Sequence, residues 1–151
     1  MERARATVLV VEDDPWTRWL ESELLRDDGY LVFEAGTGEQ GLYMASAHQP
    51  DVILLDLGLP RLSGLEVLHH LKANPATREI PVFVVSSYAG LLKEEDARQV
   101  AGRLQKPFDC AELLAQVERA VWEREKARRP VPIVGPWQGR PTPEAAPRWP
   151  A

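Results

Sequence analysis

Four segments of the chain end in side chains that could do chemistry together. Glu12-Asp13-Asp14 closes the apolar run Thr7–Val11, and Asp56 closes the run Val52–Leu55. Ser86-Ser87 follows the run Val82–Val85, and Lys106-Pro107 follows a weaker segment at 102–105. Two like charges about 4 Å apart cost roughly 4 kcal/mol at an effective dielectric near 20. Packing Glu12, Asp13 and Asp56 together would therefore consume much of a typical stability of about 5–15 kcal/mol. One lysine does not neutralise three carboxylates. A hard divalent cation does, and an all-oxygen donor set suits Mg²⁺ or Mn²⁺. The plain structural alternative is that strand-end acids are separate helix caps in water, and Asp14 taken alone reads that way.

Elements that would bring these residues to one place alternate along the chain. The three apolar runs lack polar alternation, as strands buried on both faces do. Leu31–Glu34 is shorter and more polar and reads as an edge strand, with Gly102–Gln105 as the opposite edge. Helical spacing separates them. Pro15–Asp27 starts on a proline, carries Trp16, Trp19, Leu20 and Leu24, and stops at Gly29. Gly38–Ala47 turns Leu42 and Ala45 inward, Gly64–Ala73 repeats Leu65, Leu68 and Leu71, and Cys110–Arg124 repeats Leu113, Leu114, Val117 and Val121. Leu91–Ala101 is mostly charged, so it should be the least firmly held helix. Five strands and five helices in strict alternation predict an α/β fold, a doubly wound parallel sheet with right-handed crossovers. In such sheets the ligand site lies beyond the carboxyl ends of the strands, where the four clusters fall.

Composition bounds the rest. The 151 residues are 44% hydrophobic and 27% charged, ordinary for one globular domain. No apolar run approaches the roughly 18 residues of a membrane span, and the N-terminus lacks a signal-peptide pattern. The single cysteine, Cys110, excludes an internal disulfide, and a cytoplasmic chain is expected. Residues 1–125 carry 22 acidic and 13 basic side chains, while 126–151 carry five basic and one acidic. The acidic body argues against a nucleic-acid surface. Seven of the 13 prolines lie between Pro130 and Pro150, with Trp137 and Trp149 among them. We expect a domain over 1–125 and a Pro-rich basic tail over 126–151, disordered unless it docks on the acidic body or a partner.

The motifs VLVVEDD (8–14), DVILLDLGLPRLSGLEVL (51–68), IPVFVVSS (80–87) and KPF (106–108) occur in order on the expected strand ends. Together they resemble the receiver domain of two-component response regulators, over about 6–124. The resemblance implies a flavodoxin-like sheet of order 2-1-3-4-5. It implies Asp56 as phosphoacceptor, receiving a phosphoryl group from a histidine kinase or phosphotransfer protein. It implies Mg²⁺ held by Asp13 and Asp56, by Glu12 through water and by the backbone carbonyl of Gly58, with Ser86 and Lys106 on the phosphoryl oxygens. Phosphoryl transfer needs positioning and charge neutralisation, which these groups supply. Ser86 bonding a phosphoryl oxygen would draw the Ser86–Tyr88 loop inward, making it the two-state element.

Several features compete or depart. Gly36-Thr37-Gly38-Glu39-Gln40-Gly41 satisfies a dinucleotide-binding pattern, but it follows an edge strand, and Thr37 with Gln40 makes a capping box. A dehalogenase-like phosphatase would want an aspartate where Gly58 stands. His48, His69 and His70 share no metal-ligand spacing with the acids, and Cys110 reads as a buried or boundary residue. Three before Lys106, where the family usually has an aromatic, stands Arg103, which puts the usual coupling to the output face in question. Tyr88, two after Ser86, would shield an acyl phosphate from water. With no further domain after residue 125, output is expected through a downstream protein target, as a phosphorylation-dependent dimer in one form. A pseudo-receiver, binding partners without phosphorylation, is the competing reading, and Mg²⁺ titration separates the two.

Overall fold

The computed structural model describes residues 5–128. The chain runs β1 (Thr7–Val11), α1 (Pro15–Asp27), β2 (Leu31–Ala35), α2 (Gly38–His48), β3 (Val52–Leu55), α3 (Gly64–Ala73), β4 (Val82–Ser86), a 3₁₀ turn (Ala89–Leu91), α4 (Glu94–Ala97), β5 (Gly102–Gln105) and α5 (Cys110–Arg128). All strand pairs are parallel and the order is β2-β1-β3-β4-β5, the doubly wound arrangement expected.

Strand pleating explains why the apolar runs are continuous. Val8 and Val10 point to one face, with Val52, Leu54, Phe83 and Val85, against Leu25 of α1 and Leu113, Val117 and Val121 of α5. Leu9 and Val11 point to the other face, with Ile53, Leu55 and Val82, against Ala45 of α2 and Val67, Leu68 and Leu71 of α3. A strand between two helix layers has no wet face, so every residue must be apolar until the strand leaves the core. The polar residue after each run marks the sheet's upper edge.

Side-chain caps fix the first three helices. Asp14 accepts from the Thr17 N–H at 2.8 Å and Thr37 from the Gln40 N–H at 3.0 Å. Gln40 reaches back to the Gly36 N–H at 2.8 Å, one residue before the cap. Ser63 and Glu66 form a complete capping box on α3.

Three details differ from the sequence expectation. The inward stripe of α1 is Glu21, Ser22 and Leu25, not the tryptophans. Trp16 and Trp19 stay 68% and 49% exposed, with rings stacked at 5.1 Å between centroids. The expected helix at 91–101 is a 3₁₀ turn followed by one α-turn. Lys93 at its N-cap makes no side-chain bond, and its charged sequence has little to bury. α5 continues to Arg128, past the expected boundary, because Arg128 Nη1 reaches Asp51 Oδ1 at 3.0 Å and Arg124 packs beside it. The remainder of the expected tail, from residue 129 on, lies outside the described residues.

Candidate phosphoacceptor site

β1, β3, β4 and β5 end side by side and deliver Glu12, Asp13, Asp56, Ser86 and Lys106 to one edge. Glu12, Asp13 and Asp56 each offer a carboxylate oxygen within 4.8 Å of the others. Glu12 is 2% and Asp56 8% exposed, while Asp13 faces solvent. Lys106 Nζ donates to Glu12 Oε1 at 2.5 Å and to Asp56 Oδ2 at 3.3 Å. A cis peptide joins Lys106 to Pro107. The Asp14 N–H donates to Glu12 Oε2 at 3.1 Å, and the Gly58 N–H donates to Asp56 Oδ1 at 3.1 Å.

These contacts set the charges. Burial pushes the Glu12 carboxyl above its ordinary range, and the bonds from Lys106 and Asp14 only partly oppose this. Burial also raises Asp56, but the Ser86 hydroxyl, the Gly58 N–H and Lys106 outweigh it and hold the carboxyl below its usual value. Burial alone would lower Lys106, yet Glu12 and Asp56 keep its ammonium charged above its ordinary range. Three carboxylates and one ammonium leave the edge negative, and every candidate ligand atom is a hard oxygen. The donor set therefore fits Mg²⁺ or Mn²⁺.

Ser86 is fully buried, and its Oγ accepts from the Tyr88 N–H at 3.1 Å. The Tyr88 side chain, half exposed, lies over Gly58. A Cβ added at Gly58 would meet Tyr88 Cε2 at 3.0 Å and Asp56 Oδ1 at 3.8 Å. Only a glycine lets the ring settle there without a shift. Arg103 sits on β5 away from the carboxylates, its Nη1 on Ala89 O at 3.4 Å. The Gly36–Gly41 turn is occupied by its capping bonds. Cys110, expected buried or at a boundary, is exposed at the first turn of α5.

Sequence reasoning missed four residues around the site. Arg18 donates to the Glu12 carbonyl at 2.8 Å and holds the end of β1. Glu21 is 2% exposed, and its Oε2 finds no partner among the described residues. Burial, then the charges of Glu12 and Asp56, push its carboxyl up to about 8, with Lys106 opposing. The signal was its place four before Leu25, on the same helix face. Gln105 bonds the loop after β4, and His69 Nε2 lies 2.8 Å from Asp96 Oδ1. Neither pairing leaves a mark in local sequence.

The switch edge of a doubly wound parallel sheet thus joins three carboxylates, a hydroxyl and a lysine. Residues 8–118 match the family model described as response regulator receiver domain. The chain belongs to that family, whose members serve two-component signalling. It is 35% identical over 134 residues to the KDP operon transcriptional regulatory protein KdpE of Escherichia coli, covering 84% of this chain and 56% of KdpE. The chain thus spans little more than half the length of that relative. It is 36% identical over 116 residues to protein Rrf1 of Nitratidesulfovibrio vulgaris, covering 77% of this chain and 83% of Rrf1. The receiver domain of the sensor histidine kinase PA1611 from Pseudomonas aeruginosa, solved with a magnesium ion coordinated in its active-site cleft, superposes with a TM-score of 0.71. It is 30% identical, over 79% of this chain and 99% of that one. Among the described residues no helix is long and apolar enough to cross a membrane.

Proposed function

We propose that Asp56 accepts a phosphoryl group from a phosphohistidine of a histidine kinase or phosphotransfer protein, and that the modified site switches a surface read by a downstream protein. The observation that carries this reading is the Asp56 carboxylate. It is nearly buried, held ionised, and flanked by both an ammonium and two further carboxylates. An ionised carboxylate in a water-poor edge is a competent nucleophile only if the incoming charge is neutralised. Glu12, Asp13, Asp56 and the Gly58 carbonyl would hold Mg²⁺. When bound, that ion would neutralise charge on the phosphoryl oxygens. An Asp56 oxygen forms the new P–O bond as the donor's P–N bond breaks, and the imidazole leaves with the electron pair and takes up a proton. Lys106 gives up its bond to Asp56 to bind a phosphoryl oxygen, and the Ser86 hydroxyl donates to another. The stacked, exposed Trp16 and Trp19, on the first turns of α1 beside Asp13, offer the donor protein an apolar landing surface.

Mass spectrometry with acetyl phosphate and Mg²⁺ tests the reading. One phosphoryl group is expected on the full chain and none on Asp56→Asn. No gain by the wild type, together with no Mg²⁺ binding in a titration, would leave a pseudo-receiver. The Tyr88 side chain over Gly58 shields the acyl phosphate from water. Tyr88→Ala should therefore hydrolyse several-fold faster, and an unchanged rate removes the shield.

A further inference from the structure

β5 carries two side chains that reach back to the loop after β4. Gln105, the last residue of the strand, donates from Nε2 to the Ser87 carbonyl at 2.7 Å. Its Oε1 accepts from the Gly90 N–H at 3.2 Å. Arg103, two residues earlier and so on the same side of the strand, donates to the Ala89 carbonyl at 3.4 Å. The Tyr88 N–H between them is bound to Ser86 Oγ at 3.1 Å. Each residue of the loop from Ser87 to Gly90 thus has a backbone group tied by a side chain.

The chemistry of Gln105 suits this task. Its amide offers a donor and an acceptor at once, so it can bridge a carbonyl and an N–H that share no partner. Both targets are backbone atoms, so the grip does not depend on which side chains the loop carries. Gln105 also precedes Lys106 directly, so the same strand end holds the ammonium and the loop. Ser86 stands at the other end of that loop, with its hydroxyl at Asp56 and its Oγ on the Tyr88 N–H.

We propose that Gln105, with Arg103 beside it, is a latch that holds the loop from Ser87 to Gly90 in its resting position and sets how readily the loop follows Ser86 when Asp56 is phosphorylated. This rests on the phosphoacceptor reading above. Gln105 is a positioning residue: it touches none of the reacting atoms and acts through the backbone of residues 87 to 90. Phosphorylation draws Ser86 toward the new oxygens, the loop moves, and both Gln105 bonds open.

Hydrogen exchange of the full chain, read on the segment 87–91, tests this with Gln105→Leu and Gln105→Glu. Leu keeps the bulk and removes both bonds. Glu keeps the acceptor for the Gly90 N–H and loses the donor to Ser87. In the resting protein, Gln105→Leu should raise exchange at the Gly90 amide about tenfold, the loss of roughly one to two hydrogen bonds, and Gln105→Glu should raise it less. Phosphorylation by acetyl phosphate and Mg²⁺ should raise wild-type exchange to the level of resting Gln105→Leu and change Gln105→Leu little further. A phosphorylated wild type whose 87–91 exchange stays at the resting level overturns the latch, as does a resting Gln105→Leu with wild-type exchange. A wild type that gains no phosphoryl group and binds no Mg²⁺ overturns the phosphoacceptor reading instead, and the coupling with it. A merely structural Gln105 would lower the unfolding midpoint without making exchange insensitive to phosphorylation.

Discussion

Residues 7–73 and 82–105 form the two flanks of one sheet, but their helices are fastened differently. On the first flank Asp14, Thr37 and Ser63 each close a helix N-terminus, and α1, α2 and α3 run 13, 11 and 10 residues. On the second flank α4 is four residues long, starts on Lys93 without a side-chain cap, and is tied to α3 through the His69–Asp96 pair. β4 itself is fully buried, so the difference lies in the segment between β4 and β5. Caps and long apolar stripes hold an element whether or not the site is occupied. Tertiary ties such as Gln105 and His69 rest on one or two side-chain bonds each, which can open without unravelling a helix. The flank that moves in the proposed switch is therefore the one built from bonds that can be exchanged one at a time, at little cost to the whole.

Glu21 is the place where the firm flank is weakest, and removing it should give the largest effect. Its carboxyl is held at about 8 against an ordinary value of 4.5, chiefly by burial. Below pH 4.5 it is protonated folded or unfolded and costs nothing. Between pH 4.5 and 8 the unfolded chain ionises while the folded one keeps the proton, so stability falls as pH rises, and above 8 the loss levels off. The loss by pH 8 is on the order of 4 kcal/mol. Denaturant unfolding of Glu21→Leu at pH 5 and pH 8 should show a gain over wild type that is several kcal/mol larger at pH 8. An equal gain at both values would mean the carboxyl is not the weak point. Glu12 shifts in the same direction, and because its charge helps raise Glu21 the two are coupled, so the difference reads Glu21 together with its coupling to Glu12.

Gly64 ranks next. A Cβ there would fall 2.1 Å from the Asp56 carbonyl and 2.5 Å from Leu57 Cα, both backbone atoms that cannot swing aside. Gly64→Ala should lose about 3 kcal/mol, since the start of α3 must separate from the end of β3. Because the same backbone presents Asp56, the variant should also bind Mg²⁺ more weakly. Unfolding and Mg²⁺ titrations on one preparation check both. A normal midpoint would show that the firm flank tolerates a shift there, and the contrast with the loop after β4 would shrink.

Most of this fold was legible in the residues, for physical reasons that also say why the rest was not. β1, β3 and β4 were readable because a strand covered on both faces can hold no polar residue until it leaves the core, so Glu12, Asp56 and Ser86 announce themselves. Their meeting with Lys106 follows from the parallel order alone, although Lys106 and Glu12 are 94 residues apart. The extent of α4 was not readable, because a four-residue helix is held by Asp96 reaching His69 and not by its own periodicity. Glu21 was passed over because its residue type says solvent while its spacing to Leu25 says core. Gln105 gave no signal at all, since an amide that grips backbone atoms of a distant loop leaves no pattern in either segment.

The smallest expected effect is also the most direct test of the contrast. Ser63→Ala removes the α3 cap, and Asp96→Asn weakens the carboxylate bond to His69 that holds α4. If the flanks differ in this way, the two changes should separate by readout. Ser63→Ala should lower global stability by about 1 kcal/mol. It should not raise exchange at the Val67 amide beyond what that lower stability explains, because this amide, bonded to the Ser63 carbonyl at 2.9 Å, opens with the whole domain. Asp96→Asn should move the unfolding midpoint by less, within about 0.5 kcal/mol. Its effect should appear instead as faster exchange at the Ala97 and Arg98 amides, which bond Lys93 O at 2.8 Å and Glu94 O at 3.1 Å. A segment that already opens on its own loses local protection without drawing on the stability of the rest. Exchange of the α4 amides only at the global unfolding rate, in wild type and Asp96→Asn alike, would make the two flanks one cooperative unit. The movable element would then have to be sought outside the segment from Ser87 to Ala101.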